Sequence, residues 1–176
     1  SGEKLPDAMT LATSTKSGTP SARIVLYKGL SKGGFQIFTN TQSRKGSELL
    51  SNRKAALVFH WKALDRQVRV EGKVVKMTLA ESERYFHSRP RMSQIGAWAS
   101  LQSKPLASRK ILLERVKHYE LAFEGRKVTL PPHWGGFRLI PERIEFWVNG
   151  EFRLHDRTVY TRSKKTGRWT SETLFP

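Results

Sequence analysis

The hydrophobic period changes twice along this 176-residue chain, and no other feature constrains its fold as much. Met9 to Thr15 alternates apolar with small polar residues, Lys16-Ser17-Gly18-Thr19-Pro20 supplies turn chemistry, and Ala22 to Lys28 alternates again, which predicts a hairpin. Phe35 to Thr39 reads as a third strand after Gly29 to Gly34, and Ser43 to Asn52 as a short helix. Ala55 to Trp61 and Gln67 to Met77 read as two more strands, the second with a bulge at Gly72. From Thr78 the period approaches four. Thr78 and Glu81 form a capping box that opens a helix through Tyr85 and Phe86, stopped by Pro90. A longer helix runs from about Ser108 to Phe123, with Ile111, Leu112, Arg115, Val116, Tyr119 and Phe123 on or near one face. After a rigid Leu130-Pro131-Pro132 connector the period returns to two. Phe137 to Ile140 and Ile144 to Val148 lead to an Asn149-Gly150 turn, and Thr158 to Arg162 pairs with Arg168 to Thr173. About eight strands around a helical middle predict a mostly β fold with α, an antiparallel barrel with helices packed on one side.

The length suits one domain over 1–176, with 1–8 as a flexible N-terminal remnant and no second independent core. Hydrophobic residues at 38%, with five Trp and nine Phe, supply a real core and exclude global disorder. The chain opens Ser1-Gly2 without an initiating Met, which suggests processing or trimming. No run approaches the roughly 18 apolar residues of a membrane span and no signal pattern is present, so a cytoplasmic protein is expected. Zero cysteines remove disulfides, thiolate metal sites and thiol nucleophiles together. A net charge of +17 raises the question of nucleic acid. The charge is spread, however: nine basic against three acidic residues over 1–60, thirteen against six over 61–120, and ten against six over 121–176. Attraction of nucleic acid, and a basic exterior combined with pockets for small phosphorylated ligands, fit that spread equally.

The five histidines, at 60, 87, 118, 133 and 155, show no metal-ligand spacing beside a carboxylate, so no metal is expected. No Gly-x-Gly-x-x-Gly, Walker loop or serine elbow is present, which argues against a Rossmann-type oxidoreductase. Three basic clusters remain. Arg23 and Lys28 with Ser43-Arg44-Lys45-Gly46 can cradle a phosphate at a helix start, although a solvated strand face has the same spacing. Tyr85, Arg89 and Ser93, spaced four and four, suit a phosphate monoester on one helical face, and suit ordinary packing as well. Arg153, His155 and Arg157 project to one side of an extended chain, where like charges repel unless an anion sits among them or neighbouring acids such as Asp156 balance them.

Ordered blocks over almost the whole chain then resemble the pyridoxine (pyridoxamine) 5′-phosphate oxidase family. They are Ser21 to Gly29, Phe38-Thr39-Asn40, Ser43-Arg44-Lys45-Gly46, Arg66 to Gly72, Tyr85 to Pro90 with Ser93 to Ala97, Trp134-Gly135-Gly136, and Glu145-Phe146-Trp147 followed by Arg153 to Arg157. The resemblance implies an FMN-binding split barrel of antiparallel, Greek-key type that works as a homodimer with FMN at the interface. It implies oxidation of pyridoxine or pyridoxamine 5′-phosphate by O₂ to pyridoxal 5′-phosphate, with release of hydrogen peroxide. Carried over residue by residue, Arg23, Leu26, Phe38, Thr39, Arg44, Lys45, Gln67, Gln102, Ser103, Trp147 and Arg157 contact FMN. Lys28, Tyr85, Arg89, Ser93, Arg153 and His155 contact the substrate, and Arg153 and His155 are the catalytic pair. On this reading Arg153, too weak an acid to serve as a base, orients and stabilises, while His155 can accept or relay a proton.

Three departures accompany the resemblance. The family's segment before the first strand is absent or very short here, the terminal Arg-Leu-x-Pro is replaced by Thr173-Leu174-Phe175-Pro176, and Asn52-Arg53-Lys54 stands where Asn-Pro is usual. The alternatives are another FMN split-barrel oxidase or reductase, or a non-catalytic FMN- or nucleic-acid-binding module. Neither membrane nor nucleic acid is the expected partner.

Overall fold

The computed structural model describes residues 2–176; Ser1, at the start of the expected N-terminal remnant, lies outside the described residues. The first alternation folds as predicted. β1 (Ala8–Ser14) and β2 (Pro20–Leu26) pair antiparallel from Ala8↔Leu26 to Ser14↔Pro20, with Thr15 N–H donating to the Thr19 carbonyl across the turn. In β1 every second residue is buried, whereas β2 never goes below half-buried and leaves Ile24 and Leu26 facing out. β1 is therefore interior to the sheet and β2 an edge.

β3 (Leu30–Ser31) and β4 (Gly34–Asn40) lead into α1 (Arg44–Asn52), and β5 (Lys54–Trp61) turns through a short 3₁₀ segment into β6 (Arg66–Lys76). Then come α2 (Leu79–Ser88), α3 (Arg91–Ala99), α4 (Arg109–Ala122), and the strands β7 (Trp134–Val148), β8 (Asp156–Arg162) and β9 (Trp169–Thr173). All pairings are antiparallel, in the order β2-β1-β5-β6-β7-β4-β3, with β8 and β9 branching from β7. Just beyond β2, Lys28 N–H donates to the Gln36 carbonyl and Gln36 N–H to that of Gly29, each at 3.0 Å. These bonds bring the β2 edge to β4 and close the sheet around Met9, Leu11, Leu57, Phe59, Val70 and Phe137, with Leu49 of α1 in the same core. Each such side chain contributes about 1.5 to 3 kcal/mol of transfer free energy.

A smaller cluster, Phe86, Ile95, Val128 and Trp134, lies under the helices, where Phe38 of β4 and Trp98, Tyr119 and Phe123 pack against it. Because Trp134 belongs to β7, this cluster is continuous with the barrel wall. No helix among the described residues is long and apolar enough to cross a membrane.

Three expectations fail for identifiable reasons. Phe137 to Ile140 and Ile144 to Val148 are parts of one 15-residue strand, because Pro141 sits opposite the Gly72 bulge, where a missing ladder donor costs nothing. A Cβ on Gly72 would stand 2.0 Å from the Ile140 carbonyl oxygen, so the bulge requires glycine. Tyr85, Arg89 and Ser93 do not share a helical face: α2 ends at Ser88, Arg89 is extended, Pro90 caps a separate helix α3, and Ser93 lies on that helix. Asn149-Gly150 is no tight hairpin turn but enters a 3₁₀ turn over Glu151–Arg153, in which Phe152 and Arg153 adopt φ of +54° and +65°. Arg153, His155 and Arg157 are therefore not on one extended chain; only Arg157 lies within a strand. The predicted capping box is complete, with Glu81 N–H on Thr78 Oγ1 and Thr78 N–H on Glu81 Oε2.

Candidate active site

The helix start predicted to hold phosphate has the necessary polarity. Ser43, fully buried, accepts from Gly46 N–H at 3.2 Å and donates to the Asn40 carbonyl at 2.7 Å, which fixes the first turn of α1. That turn carries Arg44 and Lys45 and no acid, so its side chains add positive charge to the positive end of the helix dipole. Arg23, on β2, stands beside them: burial first, and then the Arg23 charge, push the Lys45 amine below its usual range. Cations held together against their own repulsion make a receptor for an anion. Lys45 Nζ reaches Gln102 Oε1 at 3.3 Å, and Thr39 Oγ1 donates to the same oxygen at 2.9 Å.

Glu48, one turn after Arg44, was not foreseen. Its carboxylate is 5% exposed and accepts from Thr13 Oγ1 at 2.5 Å, Ser21 Oγ at 2.6 Å, Arg44 Nε at 3.0 Å and Arg23 Nη2 at 3.4 Å. Burial alone would raise its pKa, but the hydrogen bonds from Ser21, Thr13 and Arg44 outweigh that and hold it at about 2. The i,i+4 spacing from Arg44 was the available signal, but an i,i+4 pair in sequence is ordinarily a surface pair.

A cavity of about 720 Å³ opens beside this basic cluster. Its wall includes Arg23, Leu26, Phe38, Thr39, Lys45 and Gln102, and also Lys28, Tyr85, Arg89 and Ser93. Phe38, Tyr85 and Trp134 stack nearly parallel, with 3.8 Å between the Phe38 and Tyr85 centroids and 5.5 Å between those of Phe38 and Trp134. Gly136, opposite Phe38 in the ladder, leaves room for that ring: a Cβ there would stand 2.7 Å from Phe38 Cε1. The Arg89 guanidinium lies 5.0 Å from the Trp134 centroid, and its Nη1 is buried without a hydrogen-bond partner. Burial pushes the Arg89 pKa down and Tyr85 pushes it partly back. A buried cationic donor without an acceptor, in a cavity wall, is a place for an anionic oxygen. Lys28, on the same wall, pairs with Asp7 at 3.1 Å.

The remaining predicted residues lie elsewhere. Gln67 of β6, Trp147 of β7 and Arg157 of β8 are directly opposite one another in the ladder and so share one face. The His155 ring lies 4.6 Å from that of Trp147. Gly150 N–H donates to His155 Nδ1 at 3.2 Å, so the neutral ring carries its proton on Nε2. Neither these four nor Arg153 lines the cavity. Arg44 and Ser103 adjoin it through Lys45 and Gln102. Among the described residues no group of three or more His, Asp or Glu side chains is placed to hold a metal ion.

Residues 3–122 match the family model described as pyridoxamine 5′-phosphate oxidase, and residues 134–176 match the pyridoxine 5′-phosphate oxidase C-terminal dimerisation region. The chain belongs to the pyridoxamine 5′-phosphate oxidase family. It is accordingly an oxidoreductase. A pyridoxine/pyridoxamine 5′-phosphate oxidase from Rhodospirillum rubrum is 54% identical over 97% of this chain and 87% of the relative. One from Myxococcus xanthus is 52% identical over 97% of this chain and 82% of its own. PhzG from Burkholderia lata, solved with tetrahydrophenazine-1-carboxylic acid, superposes with a TM-score of 0.92 at 29% identity, over 98% of this chain and 84% of its own. A pyridoxamine 5′-phosphate oxidase-related FMN-binding protein from Nostoc punctiforme has the same fold, with a TM-score of 0.79 at 14% identity over 98% of this chain and 90% of its own. The architecture is thus the split barrel of this oxidase family, mostly antiparallel β with flanking helices. Of the cluster outside the cavity, Trp147, Arg153, His155 and Arg157 all fall within the family's dimerisation region.

Proposed function

We propose that this pyridoxamine 5′-phosphate oxidase family member oxidises pyridoxine or pyridoxamine 5′-phosphate to pyridoxal 5′-phosphate with FMN as cofactor and O₂ as acceptor. The observation that carries this reading is one cavity whose wall holds Arg23 and Lys45 together with Lys28 and Arg89, beside stacked aromatic rings. Two phosphate esters, each nearly dianionic at neutral pH, need two cationic sites. Arg23, Arg44 and Lys45, with Gln102 and Ser103, suit the FMN phosphate, and Leu26, Phe38 and Thr39 the rest of the cofactor. Lys28, Tyr85, Arg89 and Ser93 suit the substrate phosphate, with the unpartnered Arg89 Nη1 as its strongest donor.

The second half of the site comes from a second copy of the chain. Gln67, Trp147 and Arg157 complete the FMN site across a homodimer interface, and Arg153 and His155 face the substrate. FMN held by these residues would supply the two-electron redox chemistry that links the substrate to O₂. With pyridoxamine 5′-phosphate, water supplies the aldehyde oxygen and ammonia leaves. The chain's own residues hold and orient. Arg153 orients the substrate and stabilises charge near C4′, and His155, its Nδ1 engaged by Gly150, offers Nε2–H as a donor to the substrate oxygen or nitrogen.

The test is the visible spectrum of the purified protein before and after anaerobic addition of pyridoxine 5′-phosphate. A flavin spectrum that bleaches, and recovers on admission of air with formation of pyridoxal 5′-phosphate, is expected. A colourless protein that takes up no FMN, or a flavin that pyridoxine 5′-phosphate leaves oxidised, sinks the reading.

A further inference from the structure

A carboxylate that none of the arguments so far requires lies behind Arg157. The pairings Arg69↔Glu145↔Val159 and Glu71↔Arg143↔Thr161 run beside the Gln67–Trp147–Arg157 row and share its face of the sheet. Glu145 is 2% exposed. Its Oε1 accepts from Arg157 Nε at 3.2 Å and Nη2 at 3.1 Å, and its Oε2 accepts from Arg69 Nη1 at 3.4 Å and Arg143 Nη2 at 3.5 Å. Arg69 and Arg143 also reach Glu71 Oε1, at 3.0 and 3.3 Å. Three guanidiniums and two carboxylates thus form one network, in which the carboxylate facing Arg157 is Glu145.

From this arrangement we infer that Glu145 is a positioning residue: its carboxylate sets the plane of the Arg157 guanidinium and thereby the affinity of the dimer for FMN. The inference rests on the reading of Arg157 as an FMN contact. The N–H groups of Nε and Nη2 converge on Oε1 and hold that oxygen in the guanidinium plane, a constraint that one bond alone does not impose. Nη1 donates to the Phe175 carbonyl at 2.9 Å, so one N–H remains on each terminal nitrogen for a ligand. Arg157 on its own keeps many rotamers, and holding one of them in advance lowers the entropic cost of binding. Stability gives no comparable reason for the network. Buried ion pairs are commonly neutral or worse than apolar packing, so fixing one geometry is the better account of a carboxylate enclosed among three arginines.

The test uses the full-length dimer and reads the FMN dissociation constant from flavin fluorescence quenching, together with thermal unfolding of each apoprotein. Four proteins are compared: parent, Glu145→Gln, Arg157→Ala and the double variant. Glu145→Gln should weaken FMN binding roughly tenfold, the loss of one charge-assisted contact. Arg157→Ala should weaken it at least as much, and the double variant no further than Arg157→Ala alone, because Glu145 acts through Arg157. A role confined to stability would lower the unfolding temperature without this non-additivity in flavin affinity. Unchanged affinity in Glu145→Gln, or losses that multiply in the double variant, overturns the inference. If Glu145→Gln does not fold, Glu145→Asp decides: it keeps the charge but draws back by one methylene, and must show the same dependence on Arg157. Failure of the underlying reading looks different, since FMN affinity would then survive Arg157→Ala itself.

Discussion

Glu48 and Glu145 are both carboxylates almost fully withdrawn from water and both engage arginines assigned to the cofactor, yet their settings differ. Glu48 shares its arginines with two hydroxyl donors, Thr13 and Ser21, and sits behind the basic cluster beside a cavity its own chain builds. Among the described residues Glu145 has only guanidiniums as partners, on a sheet face whose proposed binding residues lie outside that cavity. The cavity end is built from local devices, a capped helix start and a hairpin. The ladder end is built by strand register, and on the proposed reading it is completed by a second chain. The exposed Phe146, Phe152 and Leu154 near the ladder fit a surface that another copy covers.

The largest effect should appear when the two regions are damaged in different chains. Arg89→Ala disables the cavity half and Arg157→Ala the ladder half, so each homodimer should be nearly inactive when both FMN and pyridoxine 5′-phosphate are limiting. Unfolding and refolding the two together in equal amounts makes about half the dimers hybrids, each with one intact site, and returns about a quarter of parental activity. If mixing restores nothing, the two regions do not meet across an interface.

Next comes the separation within the cavity. Arg89→Ala should raise KM for pyridoxine 5′-phosphate roughly ten- to a hundredfold in FMN-saturated enzyme while FMN content stays normal. kcat should fall too if the phosphate contact helps to place C4′. Loss of flavin with a normal KM would interchange the two phosphate sites.

The legible and the illegible parts divide along the same line as the two regions. The helix beginning near Ser43, the Thr78–Glu81 box, the Gly72 bulge and the terminal hairpin are local rules, and the structure follows them. Arg23, Lys45, Lys28 and Arg89 do meet in one cavity, but the helical spacing invoked for Tyr85, Arg89 and Ser93 is not what brings them there; the break at Pro90 does. α3 was missed because Pro90 before it and Gly96 within it read as helix breakers. Glu48 and Glu145 were missed because a buried acid and a surface acid look alike in a sequence until the arginines of other strands are placed around them. The family resemblance, not spacing, singled out Gln67, Trp147 and Arg157, and the register then put them in one row.

A smaller, pH-dependent effect separates Glu48 from a merely tolerated acid. Its folded pKa of about 2 lies below the ordinary 4.5, so as pH falls the unfolded chain takes up the proton first. The stability it contributes is fully present above about pH 4.5 and is lost as pH drops toward 2. The unfolding free energy from urea titration should therefore be larger for the parent than for Glu48→Gln by about 2 to 3 kcal/mol near pH 6, and the gap should close through that window. A gap independent of pH would mean that packing, and not charge, is what Glu48 contributes.

The smallest effect tests whether the support of the cavity can be loosened without touching its chemistry. Thr78 caps α2, the helix that carries Tyr85 and leads into Arg89, and it lies at the opposite end of that helix from both. Thr78→Ala removes the side-chain acceptor for Glu81 N–H and should cost about 1 kcal/mol of stability. Tyr85 remains clamped between its own stacking with Phe38 and the buried Phe86 beside it, so the wall should keep its shape while the far end of the helix frays. Chemical denaturation should show the loss, and KM and FMN affinity should stay within about a factor of two of the parent. A larger rise in KM would show that the position of Arg89 is set by the whole of α2 rather than by its last turn and the stacked rings.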